Sequence, residues 1–252
     1  MTHLTTIKPR KNTDIPISKE LSKQKGRSKN TTIIFIPGLL ETADTPLFVH
    51  TIDILSKQKD FETICMSGTH FYGYGKNVTL ESTSISAQVQ DVTKKISELK
   101  KKSNRIVLVG HSLGAFVSLL VKNVKIDRVI MWDPSLHPQQ IFASTTCSVS
   151  TNKYYDPHIK QTISAQLMKE LPLLLDIPTM TKSATCPIGI ISAEKGALRV
   201  VAPYAQHMRI SLGHMVIKGA DHNFSTFQNV TKLVDYTVQL IKKRPPRERR
   251  PV

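Results

Sequence analysis

Cysteine is scarce in this chain: Cys65, Cys147 and Cys186 are the only three in 252 residues. They lie far apart, are odd in number and form no C-x-x-C pair, so neither a disulfide framework nor a zinc site is indicated. Cys65 and Cys186 sit in or beside apolar runs and read as small core residues. That usage fits a reducing compartment. Long hydrophobic runs are missing as well: no stretch reaches the roughly 18 uninterrupted apolar residues of a membrane helix. The basic residues near the start have no apolar run behind them, which argues against a secretory signal, and the expected location is cytoplasmic. Acidic residues are in deficit, 19 against 35 Lys and Arg, for a formal charge of +16. Most of the excess is terminal: residues 1–30 hold eight Lys/Arg and two acids, and residues 242–252 hold six and one. Such ends could contact nucleic acid or an anionic membrane surface. The plainer expectation is a pair of solvated tails, 1–30 and 244–252, flanking one domain over 31–243.

What is present between the tails is an alternation. The 40% hydrophobic and 21% charged content is that of an ordinary globular protein with a sizeable core. Thr31–Ile36 is a β-branched and aromatic run ending at Pro37-Gly38, a strand and a turn. Further strands are expected at Phe61–Met66, Arg105–Val109, Arg128–Trp132, Ile188–Ser192 and Met215–Lys218. Between them the apolar spacing predicts helices at Thr45–Lys57, Ser84–Lys101, Ser112–Lys122, Val200–Met208 and Thr226–Lys243. Strands alternating with helices imply an α/β fold, a mostly parallel sheet covered on both faces. The rhythm breaks over 136–184. That interval is too long for a simple connection, carries a helix near Gln161–Glu170, and is expected to be a lid-like insertion over the sheet edge. Leu171, Leu173, Leu174 and Leu175 are its apolar candidates, although plain core is the expected role for most of them.

The residues that carry chemistry begin with Gly110-His111-Ser112-Leu113-Gly114. This pentapeptide follows a predicted strand and precedes a predicted helix. A serine on such a sharp turn has its hydroxyl pushed out above the sheet. No dinucleotide fingerprint is found, and Gly73-Tyr74-Gly75-Lys76 does not fit the phosphate-loop pattern. Nor is there a histidine and carboxylate cluster with metal spacing. No cofactor and no metal are expected.

From about Thr31 to Lys243 the chain resembles the α/β-hydrolase family, through its strand order, its serine turn, its early Pro-Gly turn and its late histidine. The resemblance implies Ser112 as nucleophile and His222, after the last strand, as base. His214 is expected before that strand, on the wrong end of the sheet, and His111 beside the site. Backbone N–H groups of Leu113 and Leu39 would form the oxyanion hole. Many members have His-Gly where this chain has Pro37-Gly38, which keeps the backbone donor and removes a polar side chain. The acid departs from the family pattern. Where a segment like Gly-Glu-Lys-Asp is usual, this chain has Ala193-Glu194-Lys195-Gly196. Glu194 and Asp133 are both available, and Asp133 stands slightly ahead. Asp221, next to His222 in sequence, is a poor orienter. The implied activity is hydrolysis of a small-molecule carboxylic ester or thioester. The rival reading, favoured by the incomplete acid segment, is a non-hydrolytic member that binds a ligand or partner. The sequence sets no oligomeric state.

Overall fold

In a computed structural model, the described residues are 31–68, 70–71, 80–99, 105–137, 146–148, 153–156 and 161–244. Both basic tails and the Gly73–Lys76 loop lie outside them. Six strands form one parallel sheet: β1 (Thr31–Ile36), β2 (Phe61–Cys65), β3 (Arg105–His111), β4 (Arg128–Trp132), β8 (Ile188–Ala193) and β9 (Gly213–Ile217). Their spatial order is β2-β1-β3-β4-β8-β9, every neighbour parallel. The expected α/β architecture is thus the observed one.

The central strands are apolar at consecutive positions because both faces of the sheet are covered. Ile33, Phe35, Val107, Val109, Ile130, Trp132 and Ile191 point to one face. There they meet Leu47, Phe48 and Leu55 of α1 (Pro46–Ser56) and Val230, Leu233 and Val234 of α7 (Phe227–Lys242). Ile34, Ile36, Leu108, Met131 and Ile190 point to the other face. They are covered by α2 (Ile85–Leu99) and α3 (Gly114–Leu120) through Val92, Ile96, Phe116 and Val117. Cys65 and Cys186 are half-buried, and burial pushes their thiols up to about 12 and about 11. Trp132 is fully buried against Phe35 and Phe48, and its Nε1–H donates to Thr237 Oγ1 at 3.0 Å. The end of α7 is held by cations, as its dipole favours: Arg105 and Arg128 donate to the carbonyls of Ile241 and Leu240.

The insertion differs from expectation in its detail. It contains an antiparallel sheet of β5 (Thr146–Ser148), β6 (Lys153–Asp156) and β7 (Gln161–Ile163). The helix expected from Gln161 begins only at α4 (Ala165–Glu170), where the Ser164 hydroxyl accepts from the Gln166 and Leu167 N–H groups. A 3₁₀ turn (Leu171–Leu173) and α5 (Ile177–Ser183) follow. Leu167, Leu171, Ile177 and Met180 are buried in the core on the α2–α3 side. Leu174 is partly buried, while Leu173 and Leu175 are exposed. The Glu170 carboxylate accepts from the Ile85 and Ser86 N–H groups at the start of α2, tying the insertion to the body.

Two smaller differences concern the last strands. The Val200–Met208 segment is a short helix, α6 (Leu198–Val201), continued as a 3₁₀ helix (Ala202–His207) around Pro203, whose ring excludes a regular α-helical bond. His214 lies inside β9 rather than before it, and its Nε2 meets Ser192 Oγ at 2.9 Å.

The site follows from strand order. β1 is followed by β2 on one side and β3 on the other, so the chain reverses direction across the sheet there. A crevice opens at such a point outside the carboxyl ends of the strands. Ile36 is in register with Gly110, and His111 with Trp132. The loops after β1, β3 and β4 are therefore neighbours.

Candidate active site

Ser112 leaves β3 at φ 51°, a left-handed conformation that costs a side-chain-bearing residue about 1–3 kcal/mol. Its N–H donates to the Trp132 carbonyl (3.0 Å) and its carbonyl accepts from Ala115 N–H (3.2 Å), which holds the turn closed. Gly114 is required by space: a Cβ there would overlap the carbonyl oxygens of Ile36 and Pro37. Gly114→Ala is accordingly expected to lower stability by about 2–3 kcal/mol, read from chemical denaturation. An unchanged midpoint would mean that the turn after β1 yields to admit the methyl group.

Asp133 follows β4, also at positive φ (39°), and its side chain is fully buried. Its Oδ1 accepts from the N–H groups of Ala193 (2.8 Å) and Ala197 (3.0 Å), and Oδ2 accepts from Ala197 N–H (2.9 Å). The remaining partner of Oδ2 is His222 Nδ1 at 2.6 Å. His222 comes from the loop after β9, which is anchored by the buried Phe224. With the carboxylate accepting at Nδ1, the neutral ring carries its proton there and leaves Nε2 as the acceptor.

Glu194, the other carboxylate considered, accepts from Gly219 N–H at 2.8 Å and is exposed. It links the loops after β8 and β9 instead of meeting His222. Asp221 accepts from Ser225 N–H. Gly196, standing where the family pattern has its aspartate, has a structural reason: a Cβ there would overlap Asp133 Oδ2. The Asp133 carboxylate, from one strand earlier, lies against Gly196 and leaves no room for a side chain there.

Leu39, Glu41, His111, Ser112, Leu113, Ser135, His222 and Asn223 line one cavity of about 210 Å³. The backbone N–H groups of Leu39 and Leu113 donate to no acceptor among the described residues. That of Gly38 is already engaged, by Glu41 Oε2 at 2.6 Å. Two free donors beside a serine hydroxyl are the arrangement that can hold a developing oxyanion.

Two features went unread in the sequence. Ser135 Oγ lies 3.3 Å from Ser112 Oγ, and no pattern in Asp133-Pro134-Ser135 announces it. Glu41, in the turn after β1, meets His111 Nδ1 at 2.7 Å, and His111 Nε2–H donates to the His222 carbonyl at 2.8 Å. Both side chains are nearly buried. Burial works against charge on each. Their mutual attraction and hydrogen bonds outweigh it, holding the Glu41 carboxyl below its ordinary range and raising the His111 imidazolium above its own. His111 thus contributes stability below its unfolded pKa, lost as pH rises through the raised value. Glu41 contributes above its unfolded pKa, lost as pH falls through the lowered one.

Among the described residues no cluster of His, Cys, Asp or Glu could hold a metal ion, and no helix is long and apolar enough to cross a membrane.

No family model matches the sequence, and no curated protein is similar enough in sequence to match it. Solved structures do. One is Est1E from Butyrivibrio proteoclasticus with ferulic acid bound, at TM-score 0.66 and 14% identity, over 87% of this chain and 93% of that one. The esterase domain of a Rhodothermus marinus protein gives 0.64 at 14% identity, over 84% and 86%. Mouse alpha/beta hydrolase domain-containing protein 10 gives 0.62 at 19% identity, over 86% and 91%. Six parallel strands in this order, a serine turn at their carboxyl ends and these neighbours lead to one conclusion: the chain has the α/β-hydrolase fold.

Proposed function

We propose that the chain is a serine hydrolase that cleaves a carboxylic ester or thioester through an acyl-enzyme on Ser112. The observation that carries this reading is the 2.6 Å contact of buried Asp133 Oδ2 with Nδ1 of His222, a residue that lines the same cavity as Ser112. A serine hydroxyl is a weak nucleophile until a base takes its proton. His222 Nε2 takes that proton as Ser112 Oγ bonds to the substrate carbonyl carbon. The carbonyl electron pair moves to oxygen, which the Leu39 and Leu113 N–H groups receive. Collapse expels the alcohol or thiol, which leaves with the proton from His222. Water then attacks the acyl group, losing its proton to His222, and the acid departs as Ser112 regains its hydrogen. Asp133 stabilises the imidazolium in both halves.

The rival ligand-binding reading drew its support from glycine at position 196, and Asp133 supplies the carboxylate that the segment there lacks. The apolar side chains of Leu39 and Leu113 suit an uncharged acyl group. The solved neighbours described as esterases are of the same reaction class, as fold-level analogy.

The test is chemical. A fluorophosphonate probe on the full chain, with peptide mapping, is expected to modify Ser112, and short p-nitrophenyl esters are expected to turn over. Folded protein that does neither across a panel of acyl lengths and a thioester would end the hydrolase reading.

A further inference from the structure

The buried Glu41–His111 pair is not used by the three-residue mechanism above, yet it joins the turn after β1, the end of β3 and the loop after β9, three of the segments on which that mechanism depends. Glu41 Oε2 accepts from Gly38 N–H at 2.6 Å, and the same turn is closed by Glu41 N–H on the Gly38 carbonyl at 3.3 Å. Leu40 completes the turn in the left-handed conformation, φ 61°. These bonds consume the Gly38 donor, while the next residue, Leu39, lines the cavity and its N–H has no acceptor among the described residues. The fit has no slack: a Cβ on Gly38 would lie 2.8 Å from Glu41 Oε2 and 2.9 Å from Ser112 Cβ. On its other side Glu41 meets His111, the residue before the nucleophile, whose Nε2–H reaches the backbone of His222.

The partners and the directions of the two shifts, Glu41 lowered and His111 raised, agree on an ionised pair. A carbonyl oxygen only accepts, so His111 Nε2 carries a proton. Glu41 Oε2 already accepts from Gly38 N–H, so the Nδ1 contact is best met by imidazolium against carboxylate. Asp133 also favours the charge on His111. An unpaired carboxylate lining this cavity would repel a developing oxyanion. Paired with imidazolium it is locally neutral, and its orientation is locked from two sides.

We propose that Glu41 is a positioning residue: its carboxylate, clamped between Gly38 N–H and the His111 ring, orients the peptide that presents Leu39 N–H to the oxyanion. Through His111 it also sets the base loop against the nucleophile turn. This rests on the serine-hydrolase reading and adds to it a residue outside the family triad. Misplacement of a reacting group by about 1 Å can cost on the order of 100-fold in rate.

The experiment compares wild type with Glu41→Gln, which keeps the shape and an acceptor for Gly38 but cannot balance the imidazolium. Steady-state turnover of p-nitrophenyl butyrate is read beside inhibition by n-butylboronic acid, whose tetrahedral serine adduct places an oxygen in the oxyanion hole. The expected result is a kcat lowered about 10- to 100-fold, KM within about threefold, and boronate affinity weakened by a similar factor to kcat. Circular dichroism checks that the variant is folded at the assay temperature. Merely structural damage would lower the active fraction and leave the boronate inhibition constant of the surviving molecules unchanged. That outcome overturns the proposal, as does an unaffected kcat.

If Glu41→Gln does not fold, Glu41→Asp decides on the same readouts. It keeps the charge but is too short to reach Gly38 N–H and His111 together, and the same parallel loss is expected. Wild-type protein that neither labels nor turns over ester defeats the hydrolase reading and this proposal with it. Wild-type activity with an unaffected, folded Glu41 variant defeats this proposal alone.

Discussion

Ser112→Ala is expected to lower kcat for a short p-nitrophenyl ester by about 10⁴- to 10⁶-fold and to abolish fluorophosphonate labelling. The size follows from what remains. Without the hydroxyl, His222 has no nucleophile to activate, and only water held near the Leu39 and Leu113 N–H groups is left. Substrate affinity should change little, since of the lining residues only Ser112 loses an atom, its hydroxyl oxygen. Stability supplies a second, independent reading of the same atom. Ser112 sits at φ 51°, where any Cβ is strained and glycine is not. Ser112→Gly should be as inactive as Ser112→Ala and more stable than it by about 1–2 kcal/mol in denaturant unfolding. Residual turnover above a few per cent in Ser112→Ala would place the nucleophile elsewhere.

How much of this was legible beforehand varies by element, for physical reasons. Strands β1, β3, β4 and β8 read clearly because both of their faces are buried, which leaves near-continuous runs of Ile, Val and Leu. The serine turn was legible because close packing admits only glycine at Gly114. The Gln161–Glu170 segment reads as a helix because Ile163 and Leu167 within it, and Leu171 just beyond it, are spaced by four and buried. That spacing imitates one face of a helix, but Ile163 is held by β6 and by a bridge to Leu80. Tertiary pairing decided the conformation of that segment, and spacing within one stretch carries no record of its partners.

The site divides in the same way. Ser112, His222, Leu39 and Leu113 occupy positions set by local strand–turn–helix patterns, so their proximity could be anticipated. Glu41 could not, because its importance arises from the turn folding back on Gly38 and from His111, 70 residues later. The carboxylate question was open for a related reason. Asp133 and Glu194 each stand at the end of a strand, and the choice depends on which one points into the gap between β4 and β8. The sequence did hold one clue: glycine at 196 is the space that an Asp133 carboxylate needs.

That clue leads to the second large effect. Asp133→Asn is expected to lower kcat by about 10³- to 10⁴-fold, whereas Glu194→Gln should stay within about twofold of wild type. The reasoning turns on donors. Three backbone hydrogen bonds, one from Ala193 N–H and two from Ala197 N–H, converge on the Asp133 carboxylate. An asparagine must keep its one oxygen on these N–H groups, because turning its NH₂ toward them would leave buried donors facing each other. The NH₂ then faces His222 Nδ1, which has to become the acceptor. The ring proton moves to Nε2, and the imidazole can no longer take a proton from Ser112. Both the charge that stabilises imidazolium and the productive tautomer are lost in one substitution. Glu194→Gln, by contrast, retains an oxygen for Gly219 N–H and alters no contact of His222. Parallel kcat measurements, with circular dichroism as the check on folding, separate the two. A folded Asp133→Asn variant with more than about a tenth of wild-type kcat would remove Asp133 from the mechanism, and a large loss in Glu194→Gln would put the acid after β8 instead.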